Sequence, residues 1–298
     1  MVIKDEVLKK YNTICFDLDG TLLNDEKLIQ KNTIEVIRKL QFAGCEIIIA
    51  TGRSIEKSEE FLKEFNFPYT IVANNGAIAM DNLSKRILFQ LPIEKKFFES
   101  IYDVSQNLNI LPYLHIYDKN NKYSLIIDDS KKKEDFFNSV RSSREILYMS
   151  EASIYLFDSI LSVVFLDSYK NIEKICRAIE SLNLNITSHT IYAFSEEHKM
   201  TEFLNKNATK GEGIGKVLKQ KGKTWENVIS FGDDNNDLSM ITNSKLGISM
   251  LNGSNELKLS SDFVTEFDNN FDGVELELRK IYGGEYEKLK RFNGCWFC

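Results

Sequence analysis

Short, continuously apolar runs that end on small, polar or acidic residues recur at both ends of the chain. Because these runs do not alternate between apolar and polar residues, they are typical of strands buried on both faces of a parallel sheet. The runs cover residues 13–16, 45–50, 69–73, 228–231, 246–250 and 263–264. The pattern therefore predicts a parallel sheet built from the two ends of the chain.

The segments between these runs carry apolar residues at helical spacing, which predicts helices over 29–43, 54–66 and 210–221. Alternating strands and helices predict right-handed crossovers and a Rossmann-like, doubly wound α/β fold. In such sheets ligands bind beyond the carboxyl ends of the strands, where the polar residues of this chain follow the apolar runs. The sequence thus places a functional site at that edge of the sheet.

The middle of the chain breaks this alternation and predicts an antiparallel α+β domain inserted into the parallel one. We assign residues 1–90 and 204–298 to the core and residues 91–203 to the inserted cap domain. The predicted elements of the insert are a turn at 118–122, helices at 94–108, 132–141 and 171–182, and strands at 113–117, 123–127, 153–157, 161–166, 186–194 and 200–205.

The composition narrows the partners of the protein. Its 298 residues are 43% apolar and 28% charged, and the net charge of −6 argues against a nucleic-acid partner. No apolar run approaches the ~20 residues of a membrane span, and no secretory signal is visible. Cys15, Cys45 and Cys176 lie singly in or beside apolar segments, which favours reduced thiols and a cytoplasmic protein. Cys295 and Cys298 fall in what reads as a frayed tail, with a prenylation motif as the alternative.

The segment 17–21 reads Asp-Leu-Asp-Gly-Thr directly after an apolar run. Asp17 and Asp19 place two carboxylates in a tight loop, and Gly20 allows the backbone to turn sharply. A polar turn that caps a helix is the alternative interpretation of this segment.

The segment 232–237, Gly-Asp-Asp-Asn-Asn-Asp, repeats this arrangement after another apolar run. An Asx-rich helix N-cap would explain it alone. Together the two segments bring Asp17, Asp19, Asp233 and Asp237 to one sheet edge, where like charges ~4 Å apart cost about 4 kcal/mol per pair at an effective dielectric of 20. A hard divalent cation removes this penalty, and Mg²⁺ is the usual one beside phosphate.

Thr51 and Gly52 follow the second apolar run, and Lys210 begins a predicted helix. Each has an ordinary explanation, as a strand-end hydroxyl, a turn residue and a solvated lysine. Opposite four carboxylates at one edge, however, a hydroxyl and a cation are the groups expected to hold a phosphoryl group.

The motifs DLDGT, ATGR, NNGA, TKGEG and GDDNND occur in this order, with a long insertion between the third and fourth. In this combination the chain resembles the haloacid dehalogenase superfamily, and in particular its Cof-type, class IIB branch. The resemblance covers nearly the whole chain. It implies a Mg²⁺-dependent phosphohydrolase that acts on small phosphate monoesters, with sugar phosphates as the expected class.

The resemblance also implies a role for each site residue. Asp17 would attack phosphorus and become an aspartyl phosphate, while Asp19 would act as general acid and then general base. Mg²⁺ would be held by the carboxylate of Asp17, the main-chain carbonyl of Asp19 and Asp233. Asp237, also assigned to the metal site, would orient Lys210 or a metal-bound water. The phosphoryl oxygens would be held by Thr51, Gly52, Lys210 and Asn236.

Two other functions stay open at this point. One is a sugar phosphomutase of the same superfamily, and the other is a catalytically idle binding protein. The expected partner is a small phosphorylated metabolite, and we expect a monomer or a weak homo-oligomer. A protein of net charge −6 repels such a substrate on average, so local cations must attract it.

Overall fold

The computed structural model describes residues 3–117, 123–128, 145–150, 158–195 and 198–283. The chain divides into two compact units. The first combines Met1–Phe89 with Thr209–Cys298, and the second is Gln90–Ala208.

The helices of the described residues are α1 Asp5–Lys10, α2 Lys31–Phe42, α3 Ile55–Phe61, α4 Lys95–Leu108, α5 Tyr169–Glu180, α6 Lys210–Gln220, α7 Leu238–Asn243, α8 Asn255–Ser260 and α9 Gly273–Gly283. The strands are β1 Thr13–Phe16, β2 Glu46–Ala50, β3 Thr70–Ala73, β4 Ile78–Asp81, β5 Ile87–Gln90, β6 Tyr113–Tyr117, β7 Tyr123–Ile127, β8 Glu145–Tyr148, β9 Ile160–Ser168, β10 Ile186–Ser195, β11 His198–Asn205, β12 Val228–Gly232, β13 Leu246–Ser249 and β14 Phe263–Val264. Among the helices in these ranges, none is long and apolar enough to cross a bilayer.

The sheet of the first unit has the order β14-β13-β12-β1-β2-β3-β4-β5. All six apolar runs form strands of this sheet, and the pairs from β14 through to β3 are parallel. The predicted doubly wound α/β core is therefore confirmed. The helices predicted around it are present as α2, α3 and α6, although α3 ends at Phe61, earlier than expected.

Strand β1 lies at the centre of this sheet, and Ile14, Cys15 and Phe16 are fully buried. Thr13 is in register with Val228 of β12 on one side and with Glu46 of β2 on the other. Because these strands run parallel, their carboxyl ends lie at the same edge of the sheet. The loops that follow β1, β2 and β12 are therefore brought together by the sheet itself.

The far edge of this sheet differs from the expectation. After the short turn Asn74–Gly76 the chain reverses, and β4 pairs antiparallel with β3. The sequence analysis did not predict β4 or β5, since Ile78-Ala-Met is a short apolar run with no distinctive flanking residues. Buried Ile78 and Ala79 show that this run completes the core.

The second unit has its own sheet, in the order β10-β11-β9-β6-β7-β8. Helices α4 and α5 supply Ile101, Ile172 and Ile175 to its core, where they join Phe165 and Phe203 from the strands. The pairing is antiparallel as predicted, except that β7 and the unpredicted β8 run parallel. The turn predicted at 118–122, the helix at 132–141 and the strand at 153–157 lie outside the described residues.

Candidate active site

Asp17 is the first residue after β1, and its side chain is buried, with 4% exposed. Its main-chain N–H donates to the carbonyl of Phe231 in β12 at 2.9 Å, which continues the pairing of the two strands. The central strands of the sheet thus fix the position of Asp17, and this position does not depend on the conformation of a loop.

Lys210 reaches this carboxylate from the start of α6. Thr209 caps the helix, because its side chain accepts a hydrogen bond from the main-chain N–H of Glu212. The Lys210 Nζ donates to Asp17 Oδ1 at 2.6 Å and to Asp237 Oδ1 at 2.5 Å, and only 1% of the lysine is exposed. One buried ammonium therefore joins the loops that follow two different strands.

Asp233 and Asp237 form the other side of the group. Asp237 Oδ2 accepts hydrogen bonds from the main-chain N–H of Asp233 at 3.0 Å and of Asp234 at 3.1 Å. Thr21 Oγ1 donates to Asp233 Oδ1 at 2.9 Å. Gly20 has a φ of +76°, and a Cβ there would lie 2.2 Å from Asp233 Oδ2. Glycine is therefore required for the first loop to approach Asp233 so closely.

Burial and mutual repulsion alter the ionisation of this group. Burial raises the pKa of Asp17 well above its usual range, since repulsion by Asp237 and Asp233 adds to an effect that Lys210 only partly opposes. Burial, with repulsion from Asp237, raises the pKa of Asp233 to about 6. Burial alone would lower the pKa of Lys210, but Asp17 and Asp237 outweigh it and raise that pKa. The lysine therefore stays charged, while the carboxylates around it have too little positive charge nearby to balance them.

Among the described residues, Asp17, Asp233 and Asp237 are a group that could hold a metal ion. One oxygen from each lies within 4.8 Å of the others. With all three carboxylates ionised beside the single ammonium of Lys210, the group would carry a net charge of −2, which a divalent cation would neutralise. Oxygen-only ligands are the preference of Mg²⁺. Donor set and charge thus fit the ion that the sequence suggested.

Asp19 stands in a different environment. Its Oδ2 accepts from Arg53 Nε at 2.5 Å, and its Oδ1 accepts from Arg53 Nη2 at 2.6 Å and from Lys27 Nζ at 3.0 Å. Burial raises its pKa, but the hydrogen bonds and charge of Arg53, helped by Lys27, outweigh burial and hold the pKa below its usual value. Its carboxylate is not part of the acidic group formed by Asp17, Asp233 and Asp237.

The remaining predicted residues lie on neighbouring loops. Thr51 follows β2, is buried, and accepts a hydrogen bond at Oγ1 from the main-chain N–H of Arg53 at 3.0 Å. Asn236 Nδ2 donates to Asn75 Oδ1 at 3.0 Å. A Cβ at Gly52 would lie 3.2 Å from the same Asn75 oxygen, so Gly52 and Asn236 flank one asparagine.

Several described residues whose side chains contact the predicted site were not assigned a role from the sequence, among them Thr21, Lys27, Arg53 and Asn75. Thr21, Arg53 and Asn75 fall inside the motifs that carried the resemblance, so their position was a usable signal. Lys27 lies in an exposed loop outside those motifs, and only the folded chain brings it to Asp19.

The arrangement combines a buried carboxylate that can act as a nucleophile, an ammonium that can withdraw charge from a phosphoryl group, and a second aspartate oriented by a guanidinium. A carboxylate is a weak nucleophile and needs such electrostatic support. The group is thus suited to the transfer of an anionic group to Asp17.

Comparison with known proteins agrees with this description. The sequence model of the haloacid dehalogenase-like hydrolase family matches residues 14–278 of this chain. Two relatives are 5-amino-6-(5-phospho-D-ribitylamino)uracil phosphatases of Bacillus subtilis. One is 25% identical over 275 residues, which cover 90% of this chain and 97% of the relative. The other is 27% identical over 289 residues, which cover 92% and 99%.

Solved structures share the fold. A haloacid dehalogenase-like hydrolase from Bacteroides thetaiotaomicron has a TM-score of 0.71 at 24% identity, covering 92% of this chain and all of its own. The subclass IIB sugar phosphatase BT4131 has a TM-score of 0.69 at 21% identity, covering 91% and 99%. The resemblance inferred from the five motifs is confirmed. The chain belongs to the haloacid dehalogenase-like hydrolase family.

Proposed function

We propose that this protein is a Mg²⁺-dependent phosphatase that hydrolyses small phosphate monoesters through an aspartyl phosphate on Asp17. The phosphatase class was predicted from the sequence and is borne out by the family and by the names of the relatives. The observation that carries the mechanism is the buried contact of Lys210 with Asp17, inside a group of three carboxylates. Sugar phosphates, the class implied by the resemblance, stay the predicted substrates.

In the first step an Asp17 carboxylate oxygen forms a bond to phosphorus as the bond to the ester oxygen breaks. Lys210 supports this step, since its ammonium lies 2.6 Å from Asp17 and can withdraw charge from the phosphoryl oxygens. Asp237 holds the lysine from the other side at 2.5 Å. The products of the step are an alcohol and an acyl phosphate on Asp17.

Asp19 gives a proton to the departing ester oxygen, which requires that it enters this step protonated although Arg53 and Lys27 favour its ionised form. In the second step its carboxylate takes a proton from water, whose oxygen attacks phosphorus and releases inorganic phosphate from Asp17. Arg53 and Lys27 hold the Asp19 carboxylate in place for these proton transfers. Thr51, Gly52 and Asn236 are the groups proposed to bind the phosphoryl oxygens.

The three carboxylates at the strand ends would hold Mg²⁺ with the Asp19 carbonyl. Bound there, the ion would supply positive charge beside the transferring phosphoryl group. The insertion predicted at 91–203 is proposed to act as the cap domain that selects the alcohol part of the substrate.

The test is phosphate release from a panel of phosphorylated metabolites after removal of metal with EDTA, with Mg²⁺ or Ca²⁺ then added back. We expect turnover to return with Mg²⁺ and to fail with Ca²⁺, which demands more ligands and tolerates irregular geometry. Full activity in excess EDTA would reject the metal.

The same panel separates the alternatives. A phosphomutase would release an isomeric phosphate ester and would require a bisphosphate activator. An idle binding protein would release no phosphate from any ester at any metal concentration. Intact-mass detection of a phosphate on Asp17 would support hydrolysis through the covalent intermediate.

A further inference from the structure

The carboxylate of Asp19 is gripped at both oxygens by a single side chain. Arg53 donates through Nε to Oδ2 at 2.5 Å and through Nη2 to Oδ1 at 2.6 Å. Two parallel hydrogen bonds between a guanidinium and a carboxylate fix the plane of the carboxylate as well as its position. Lys27 adds one contact, to Oδ1 at 3.0 Å. Oδ1 therefore accepts two hydrogen bonds and Oδ2 accepts one.

Arg53 is itself anchored from several directions. Its guanidinium carbon lies 4.5 Å from the centroid of the Phe61 ring in α3. Its main-chain N–H donates to Thr51 Oγ1, and its carbonyl accepts from the main-chain N–H of Asn74 at 2.9 Å. The loops that follow β2 and β3 therefore hold the residue that grips Asp19. The side chain of Lys27 is 51% exposed and, among the described residues, it has no comparable set of supporting contacts.

We propose that Arg53 is a positioning residue for Asp19, and that the grip leaves Oδ2 as the oxygen that exchanges the proton with the ester oxygen and with water. A carboxylate oxygen has two lone pairs, and in its contacts with the described residues Oδ2 uses only one of them. Arg53 acts through Asp19 and does not bind the phosphoryl group. This inference rests on the proposed phosphatase mechanism, in which Asp19 is the acid and base.

Arg53→Met and Arg53→Lys test this role. The Arg53→Lys variant keeps the positive charge but cannot donate two parallel hydrogen bonds to the carboxylate. With an alkyl phosphate we expect both variants to lose about 10- to 100-fold in kcat, the size of effect expected when a reacting group is misplaced by about 1 Å. KM should change less than about threefold, since binding is not the role of Arg53. With p-nitrophenyl phosphate, whose leaving group needs no proton, phosphorylation of Asp17 should stay fast while release of phosphate slows.

Two further variants isolate the effect. Lys57→Met removes the ion pair between Lys57 and Glu60, which both lie on α3, and does not touch Asp19. This variant should leave kcat unchanged. In an Asp19→Asn background, Arg53→Met should add no further loss, because its only route to the reaction is gone. A full additional loss in that background, or a rise in KM at unchanged kcat, would mean that Arg53 binds the substrate and would overturn the inference.

The pair can also be measured without activity. In NMR spectra of ¹⁵N-labelled protein, the Arg53 Nε–H signal, identified by its absence in Arg53→Lys, should be protected from exchange and should lose protection in Asp19→Asn. Absence of a protected signal in the wild type would overturn the inference by itself. A protected signal in a protein that hydrolyses no ester would instead show that the pair exists and that the proposed function, with the role of Arg53 in it, is wrong.

Discussion

Two groups of charged residues lie at the same edge of the parallel sheet and have opposite charge balances. The Asp17 group is Asp17, Asp233, Asp237 and Lys210, in which three carboxylates surround one ammonium that is 1% exposed. The Asp19 group is Asp19, Arg53 and Lys27, in which one carboxylate pairs with two cations and the side chains are 28–51% exposed. The first group holds more carboxylates than cations, whereas the second holds more cations than carboxylates. The two aspartates of one loop thus lie in opposite electrostatic environments.

Asp17→Asn should have the largest effect on this comparison. An amide oxygen cannot form the acyl phosphate, so kcat should fall by at least about 10⁴-fold with every substrate, as expected for loss of a covalent nucleophile. Phosphate release and intact mass would measure it. Thermal unfolding serves as the control, because the variant relieves repulsion in a buried acidic group and should not unfold more readily. Residual phosphorylation of the enzyme in this variant would place the nucleophile elsewhere.

Asp19→Asn should separate the two groups by leaving group. With an alkyl phosphate the loss should be about 10²–10⁴-fold, typical of a missing general acid or base. With p-nitrophenyl phosphate the first step should proceed and the second should stall. A burst near one equivalent of nitrophenolate and a trapped phosphate on Asp17 are the expected signals. Turnover at the wild-type rate, with no burst, would contradict the acid/base role.

Removing the cation of each group should reveal their different burial. Without metal at pH 8, Lys210→Met should lower the free energy of unfolding by about 3–5 kcal/mol, since it leaves buried carboxylates unpaired. Arg53→Met breaks a half-exposed pair and should cost about 1 kcal/mol or less. Urea denaturation measures both. The loss in Lys210→Met should shrink as the pH falls, because Asp17, with its raised pKa, becomes protonated. Equal losses at all pH values would argue against this account.

Glu277 on α9 offers a buried carboxylate that belongs to neither group. Burial raises the pKa of Glu277. Lys280, whose Nζ lies 3.5 Å from Glu277 Oε2, only partly opposes this increase. A raised pKa favours the protonated folded state, so this residue's contribution to stability is full below the ordinary pKa of glutamate and is lost as the pH rises through the folded value. Glu277→Gln should remove that pH dependence from the melting temperature, changing stability by about 1 kcal/mol or less. The value of kcat should not change, and a changed kcat would show coupling to the site.

The strands and the acidic motifs could be predicted because each has a local cause in the sequence. Asp17 and Asp233 follow apolar runs, and the carboxyl ends of parallel strands must share an edge. The charge environment of Asp19 could not be predicted in this way. Lys27 reaches it through a turn with a φ of +62°, and Arg53 reaches it from the next strand, so both contacts depend on side-chain directions that spacing does not specify. Strand β4 was missed because its apolar run is short and has no distinctive flanking residues.

The register of Thr13 with Val228 also bears on how the chain folds as it is synthesised. Strand β1 emerges from the ribosome first, yet one of its two neighbours, β12, follows more than two hundred residues later. Until then one side of β1 presents unpaired main-chain groups, a surface on which chains aggregate. The unit Gln90–Ala208 is contiguous and can fold during this interval. The pairing of β1 is therefore among the last parts of the molecule to be completed, and truncated chains that end before β12 are expected to need chaperones.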